Sequence, residues 1–183
     1  PAFTEILPIH PDYVGGEYYF EESANPTSSA YYVHAGVPLA ERDALKKEDG
    51  RRLKISEVLT ETNVATLRRA ILNFVMGAAV RRLQQQAAGE RTKKYSFVVH
   101  TEQSKESHDW QERVTTAIRD ALVDTAKSGN PLLDVLLREA YDDLGSSVVV
   151  GGLTMPEFSE CVQAVRRALT DGYVMVTKVN SDK

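Results

Sequence analysis

Between residues 64 and 170 one pattern recurs four times: an apolar stripe at helical spacing. Val64, Leu67, Ile71, Phe74, Val75, Ala78 and Leu83 fall close to the i, i+3, i+4, i+7 rule, which gathers them on one helix face. Thr62 or Asn63 can cap that helix, and Gly89 suits the left-handed residue beyond its end. A second stripe, over about 107 to 127, carries Trp110, Val114, Ala117, Ile118, Ala121 and Leu122, and Ser128-Gly129 stops it. Asn130-Pro131 opens a third, with Leu132, Leu133, Leu136, Leu137, Ala140, Tyr141 and Leu144 inward and Gly145 as its end. Thr154-Met155-Pro156-Glu157 matches a capping box and opens the fourth, with Phe158, Val162, Val165 and Leu169 inward. Stripes of this kind must bury against each other or against a sheet.

Three short apolar runs interrupt the helices and read as strands. Tyr95-Ser96-Phe97-Val98-Val99-His100-Thr101 lies between the first two helical patterns. Ser146 to Val150 is a short β-branched run, and Tyr173 to Asn180 is nearly continuously apolar up to Val176, as in a strand covered on both faces. Strands joined by helices imply parallel pairing with right-handed crossovers. The expected fold is therefore α/β and helix-rich, with a short parallel sheet. So thin a sheet in 183 residues suggests part of a larger lobe, and a first residue that is Pro1 rather than Met means either a removed initiator or excision from something longer.

Residues 1–55 read differently, as an irregular, aromatic-rich N-terminal extension ahead of a helical and α/β domain over 56–183. Prolines at 1, 8, 11, 26 and 38 and the Gly15-Gly16 pair punctuate it. Phe3, Tyr13, Tyr18, Tyr19, Phe20, Tyr31 and Tyr32 make it too aromatic for a disordered tail, so it should be ordered and packed. Glu41 to Arg52 reads as a charged surface turn or short helix.

Composition narrows the function classes. Hydrophobic residues make up 42% and charged residues 26%, and no apolar run approaches the ~18–20 residues that span a bilayer, so no membrane partner is expected. The lone Cys161 precludes an internal disulfide and falls in an amphipathic helical pattern, where it reads as a buried thiol in a cytoplasmic protein. A net charge of −4 exerts no global pull on nucleic acid, so such binding needs a local patch. His10, His34, His100 and His108 show no zinc-ligand spacing, and there is neither a Gly-Lys-Ser/Thr phosphate loop nor a carboxylate set for a nuclease metal. Gly151-Gly152, ahead of a capped helix, is the one candidate anion site of that kind.

The sharper candidate is the polar connection after the run at 95–101. In open α/β sheets ligands bind beyond the carboxyl ends of strands. Thr101, Ser104, Lys105 and Ser107 supply small donors and one cation there, with His100 and His108 on either side, a set able to grip a backbone phosphate. The arginine pairs 68–69 and 81–82 offer a second basic stripe, with a solvated helix face as the alternative.

A resemblance gives these motifs a setting. Asp12-Tyr13-Val14-Gly15-Gly16-Glu17-Tyr18-Tyr19-Phe20, then Leu67-Arg68-Arg69-Ala70-Ile71-Leu72-Asn73-Phe74, then Ser96-Phe97-Val98-Val99-His100-Thr101 with His108 downstream, resemble in content and order the Z-one domain. That family is named for an endonuclease role and accompanies superfamily-two helicase motors in bacterial restriction-type systems. The run Val174 to Ser181 is similar to its closing strand. The resemblance implies an incomplete RecA-like lobe and DNA-backbone contact through Thr101, Ser104, Lys105 and His108 with His100. It also implies a connection between lobes shaped by Tyr13, Gly15 and Gly16. The partners implied are DNA and the remaining helicase and ATPase lobes of the same protein. ATP and magnesium are implied for the full-length protein, with no cofactor in this chain, because the nucleotide loop belongs upstream of residue 1 and the arginine motif downstream of residue 183. The expected function is a DNA-binding and coupling fragment of an ATP-dependent DNA-processing protein, not catalytic alone. Two alternatives remain: a non-catalytic helical interaction module, and a small α/β enzyme acting on a phosphorylated metabolite near Gly151-Gly152.

Overall fold

The computed structural model describes residues 15–28, 30–31, 34–100 and 104–178. Five α-helices dominate them: α1 (Leu39–Lys46), α2 (Ala65–Ala87), α3 (Lys105–Ser128), α4 (Leu132–Val150) and α5 (Phe158–Thr170). A π-helical turn at Glu17–Glu21 and three short 3-10 turns precede α2. The last helix, α5, packs against α2, α3 and α4, so the four long helices share one core. Ile118, Leu122, Leu133, Leu137, Val165 and Leu169 are its fully buried centre.

The helical stripes fold as their periodicity predicts, with informative shifts at the ends. Gly129 takes a left-handed φ of 68° after α3, a conformation cheap only for glycine, and Asn130 Oδ1 accepts the Leu132 N–H at 2.9 Å to start α4. At the start of α2 neither Thr62 nor Asn63 caps. Glu61 accepts both of their amides instead, and Glu41, reaching over from α1, accepts the Thr66 N–H and hydroxyl at 2.8 Å each. Glu157 precedes α5 without a side-chain cap, while the Thr154 carbonyl accepts from Gln84 Nε2 at 2.8 Å, so no capping box forms.

The α/β expectation, with its short parallel sheet and incomplete RecA-like lobe, is overturned: no strand occurs among the described residues. Residues 146–150 are the last turns of α4, which runs straight through Gly145. A mid-helix glycine weakens a helix by about 1 kcal/mol without breaking it, and Leu144 and Val148 on either side pack onto the core. Residues 91–100 and 173–178 lie outside any helix, turn or strand, and no ladder forms on them among the described residues. Helix faces already fill the core, and an apolar run has no strand to make without a neighbour to pair with.

The N-terminal region joins the same core from residue 39 onward, since Ala44, Leu45 and Leu53 belong to the buried cluster. Its attachment follows from unmade helix ends. The last carbonyls of any α-helix lack intrahelical donors. Here those of Ala44, Leu45 and Lys46 accept from Trp110 Nε1 (2.9 Å), Gln111 Nε2 (3.2 Å) and Ser107 Oγ (2.7 Å), all on α3. Arg113 clasps Glu48 through both terminal nitrogens, at 2.6 and 3.1 Å. Among the described residues no helix is long and apolar enough to cross a membrane.

Candidate functional site

Two runs without helix or strand, 91–100 and 173–178, pass beside the first turns of α3. His100 ends one of them with its ring 5.9 Å from that of His108. Lys178 ends the other, its ammonium 2.5 Å from Asp109 and 3.7 Å from Glu112. Earlier along the first run, the buried Gln85 side chain accepts the Lys93 amide and the Tyr95 hydroxyl, each at 3.2 Å, and Phe97 stacks on Phe74 at 5.6 Å. Val174 packs against the core, while Val98 and Met175 stand 80% and 79% exposed. Both runs therefore lie on the helical body, and His100 and Lys178 stand beside His108 and Asp109, adjacent residues of α3. Apart from the Tyr173 amide, which donates to Ala168, no backbone hydrogen bond ties residues 96–100 or 174–178 to other described residues.

The expected phosphate-binding set is partly assembled here. Thr101 and Tyr13 lie outside the described residues. His100, Ser104, Lys105 and His108 do gather at one helix start, but the hydroxyls are spent on the fold. Ser104 caps α3 by accepting the Ser107 amide at 3.1 Å. Because the Ser107 hydroxyl donates to Lys46 O, the 2.8 Å contact between the two serines must carry the Ser104 proton. The charges are mixed as well: Lys105 and Lys178 stand among Glu106, Asp109 and Glu112. The Lys178 hydrogen bond, with that cation's charge, holds the Asp109 carboxyl below its ordinary pKa. Gly15 and Gly16 enter the π-helical turn, where the Gly15 carbonyl accepts the Tyr19 amide at 3.2 Å.

The arginine stripe disperses. Arg68 donates to the Val58 and Glu61 carbonyls (2.9 and 2.7 Å), tying the 55–64 turns to α2. Arg69 pairs with Asp143 at 2.9 Å across to α4, and Arg81 donates to Gln84. A groove of about 470 Å³ between α2 and α4 is lined by these same Arg68, Arg69 and Asp143 side chains. At Gly151-Gly152, the amides of Gly151, Gly152 and Leu153 donate to Ser147, Val149 and Val148. The donors a phosphate would need thus close the end of α4. Burial pushes the Cys161 thiol up to about 11, so it stays protonated and poorly nucleophilic.

Sequence reasoning missed Glu41, Gln85 and the cleft formed by Tyr19, Phe20, Tyr31 and His34. Only the last left a signal, in its density of aromatics. No family model, curated protein or solved structure matches the chain.

Proposed function

We propose that this chain is a non-catalytic coupling module of a larger ATP-dependent DNA-processing protein of the Z-one type. It docks on the rest of that protein through the runs 95–100 and 173–178. One observation carries the reading: Phe97 and Val98 in one run and Tyr173 and Met175 in the other are exposed, and no backbone–backbone hydrogen bond among the described residues ties 96–99 or 174–177 to the helical body. Unpaired extended backbone is a template for adding a strand from another polypeptide segment. The order of the Z-one-like motifs supplies the class of partner. The helices hold the runs in place, and chemistry on ATP and DNA belongs to the attached parts.

Hydrogen exchange tests this. In the chain alone, amides 96–99 and 174–177 exchange within seconds while those of α2 and α5 are retained. Joined to the sequence that flanks it in its gene, the same amides become protected by about a hundredfold or more. Unchanged exchange in the joined protein refutes docking. Flanking sequence without a Gly-Lys-Ser/Thr loop upstream and an arginine motif downstream removes the motor assignment.

A second reading, DNA-backbone contact at the start of α3, is favoured by the meeting of His100 with His108 beside Lys105. It requires duplex DNA affinity that falls steeply with salt and drops in Lys105→Ala. Absence of binding at low salt refutes it.

A further inference from the structure

We propose that the cleft beside the π-helical turn binds the cationic side chain of an arginine- or lysine-bearing segment of a partner protein. The site is distinct from the two runs, and the inference does not rest on their docking. Tyr19, Phe20, Ser23, Ala24, Tyr31 and His34 line a shallow, open cleft of about 360 Å³. Two edge-to-face pairs shape it: Tyr18 with Tyr19 at 5.6 Å and Phe20 with His34 at 5.1 Å. Phe20 is nevertheless 66% exposed, so a large aromatic face is turned to solvent. π-Helical turns are rare and are frequent at functional sites.

The cleft is held in shape before any ligand arrives. Ser23, itself buried, accepts the His34 amide at 3.1 Å. The Ser147 hydroxyl donates to the Tyr31 carbonyl at 3.4 Å, which ties the far wall to α4.

Charge selects the occupant. Glu17, Glu21 and Glu22 lie on and beside the turn, and no lysine or arginine occurs from Gly15 to Ala40. Among the described residues none of these three carboxylates is in an ion pair. Aromatic faces attract cations through their quadrupole, and nearby carboxylates add to that attraction while repelling phosphate. A guanidinium or ammonium group on a flexible stem satisfies both. A nucleic-acid strand would stack on the same rings only against three negative charges.

The test is an NMR titration of the whole chain with a short peptide carrying three arginines in a glycine–serine background, beside peptides in which the arginines are replaced by leucine or by glutamate. Saturable shifts of the Tyr19, Phe20 and His34 ring protons are expected with the arginine peptide alone. Glu17→Gln with Glu21→Gln, two exposed changes that leave the fold intact, should weaken binding about tenfold. Phe20→Ala should abolish it, with helical circular dichroism confirming that the body is retained. Absence of saturable shifts with the arginine peptide overturns the proposal. Equal binding of the leucine peptide, or saturation of the same rings by a single-stranded oligonucleotide, overturns it too.

Discussion

Val98 and Val165 are the same residue in two regions of one molecule, yet the first is 80% exposed and the second fully buried. The difference lies in what each region needs from its neighbours. A helix satisfies its own backbone and asks only for a surface on which to lay its stripe. A run outside any helix has no such internal ladder, so its amides and carbonyls must find partners elsewhere before the backbone can be buried. Among the described residues the helices pack on each other, while 96–99 and 174–177 make no backbone–backbone hydrogen bond. The comparison breaks most easily at the core. Leu137→Ala, at a position with no solvent exposure, should lower unfolding free energy by about 2–5 kcal/mol in urea titration. Val98→Ala should change it by less than about 0.5 kcal/mol. A large loss at Val98 would mean that the run is part of the core after all.

Glu41 sharpens the contrast from the polar side. It is the buried acid that joins α1 to the start of α2, accepting two hydrogen bonds from Thr66. Truncation to alanine would strand the Thr66 amide at a helix N-terminus and remove a negative charge from its positive end. Glu41→Ala should cost about 1–3 kcal/mol, read by the same titration, with the largest gains in hydrogen exchange at the first turn of α2. Glu48, an exposed acid that also crosses between elements, should cost well under that when truncated.

The helices were legible in the sequence because the 3.6-residue period survives whatever the stripe packs against. Residues 146–150 show where composition misleads. Their β-branched side chains suit a strand, but Leu144 and Val148 bury on one helix face and outweigh that preference. The runs at 95–101 and 173–180 read as strands, yet their described residues form none, since nothing local tells an apolar run whether a pairing partner exists. For the candidate site, the polar character of Ser104 to His108 was visible, but its use was not. That Ser107, Trp110 and Gln111 meet the carbonyls of residues 44–46 depends on contacts more than 60 residues apart, which no motif encodes. The aromatic cleft was half legible: Tyr18, Tyr19 and Phe20 marked an ordered segment, while His34 comes to Phe20 through tertiary structure alone.

The smallest effect concerns how the second run is held. Lys178 is fastened to Asp109, an exposed pair in which the lysine's hydrogen bond and charge keep the Asp109 pKa below its ordinary 3.8. A carboxyl with a depressed folded-state pKa contributes its stability fully above the unfolded value and loses it as pH falls through the folded one. The fastening is therefore complete at neutral pH and erodes only below about pH 3.8, as Asp109 takes up a proton. Global stability should hardly register it, because exposed ion pairs contribute little and salt screens them. The local readout should: Met175 methyl line widths and amide exchange at 174–177 should change below that pH, and Asp109→Asn should produce the same change at pH 7. A run equally well held in Asp109→Asn would show that its other attachments, Lys178 to Glu112, the Tyr173 amide to Ala168 and Val174 on the core, suffice without Asp109.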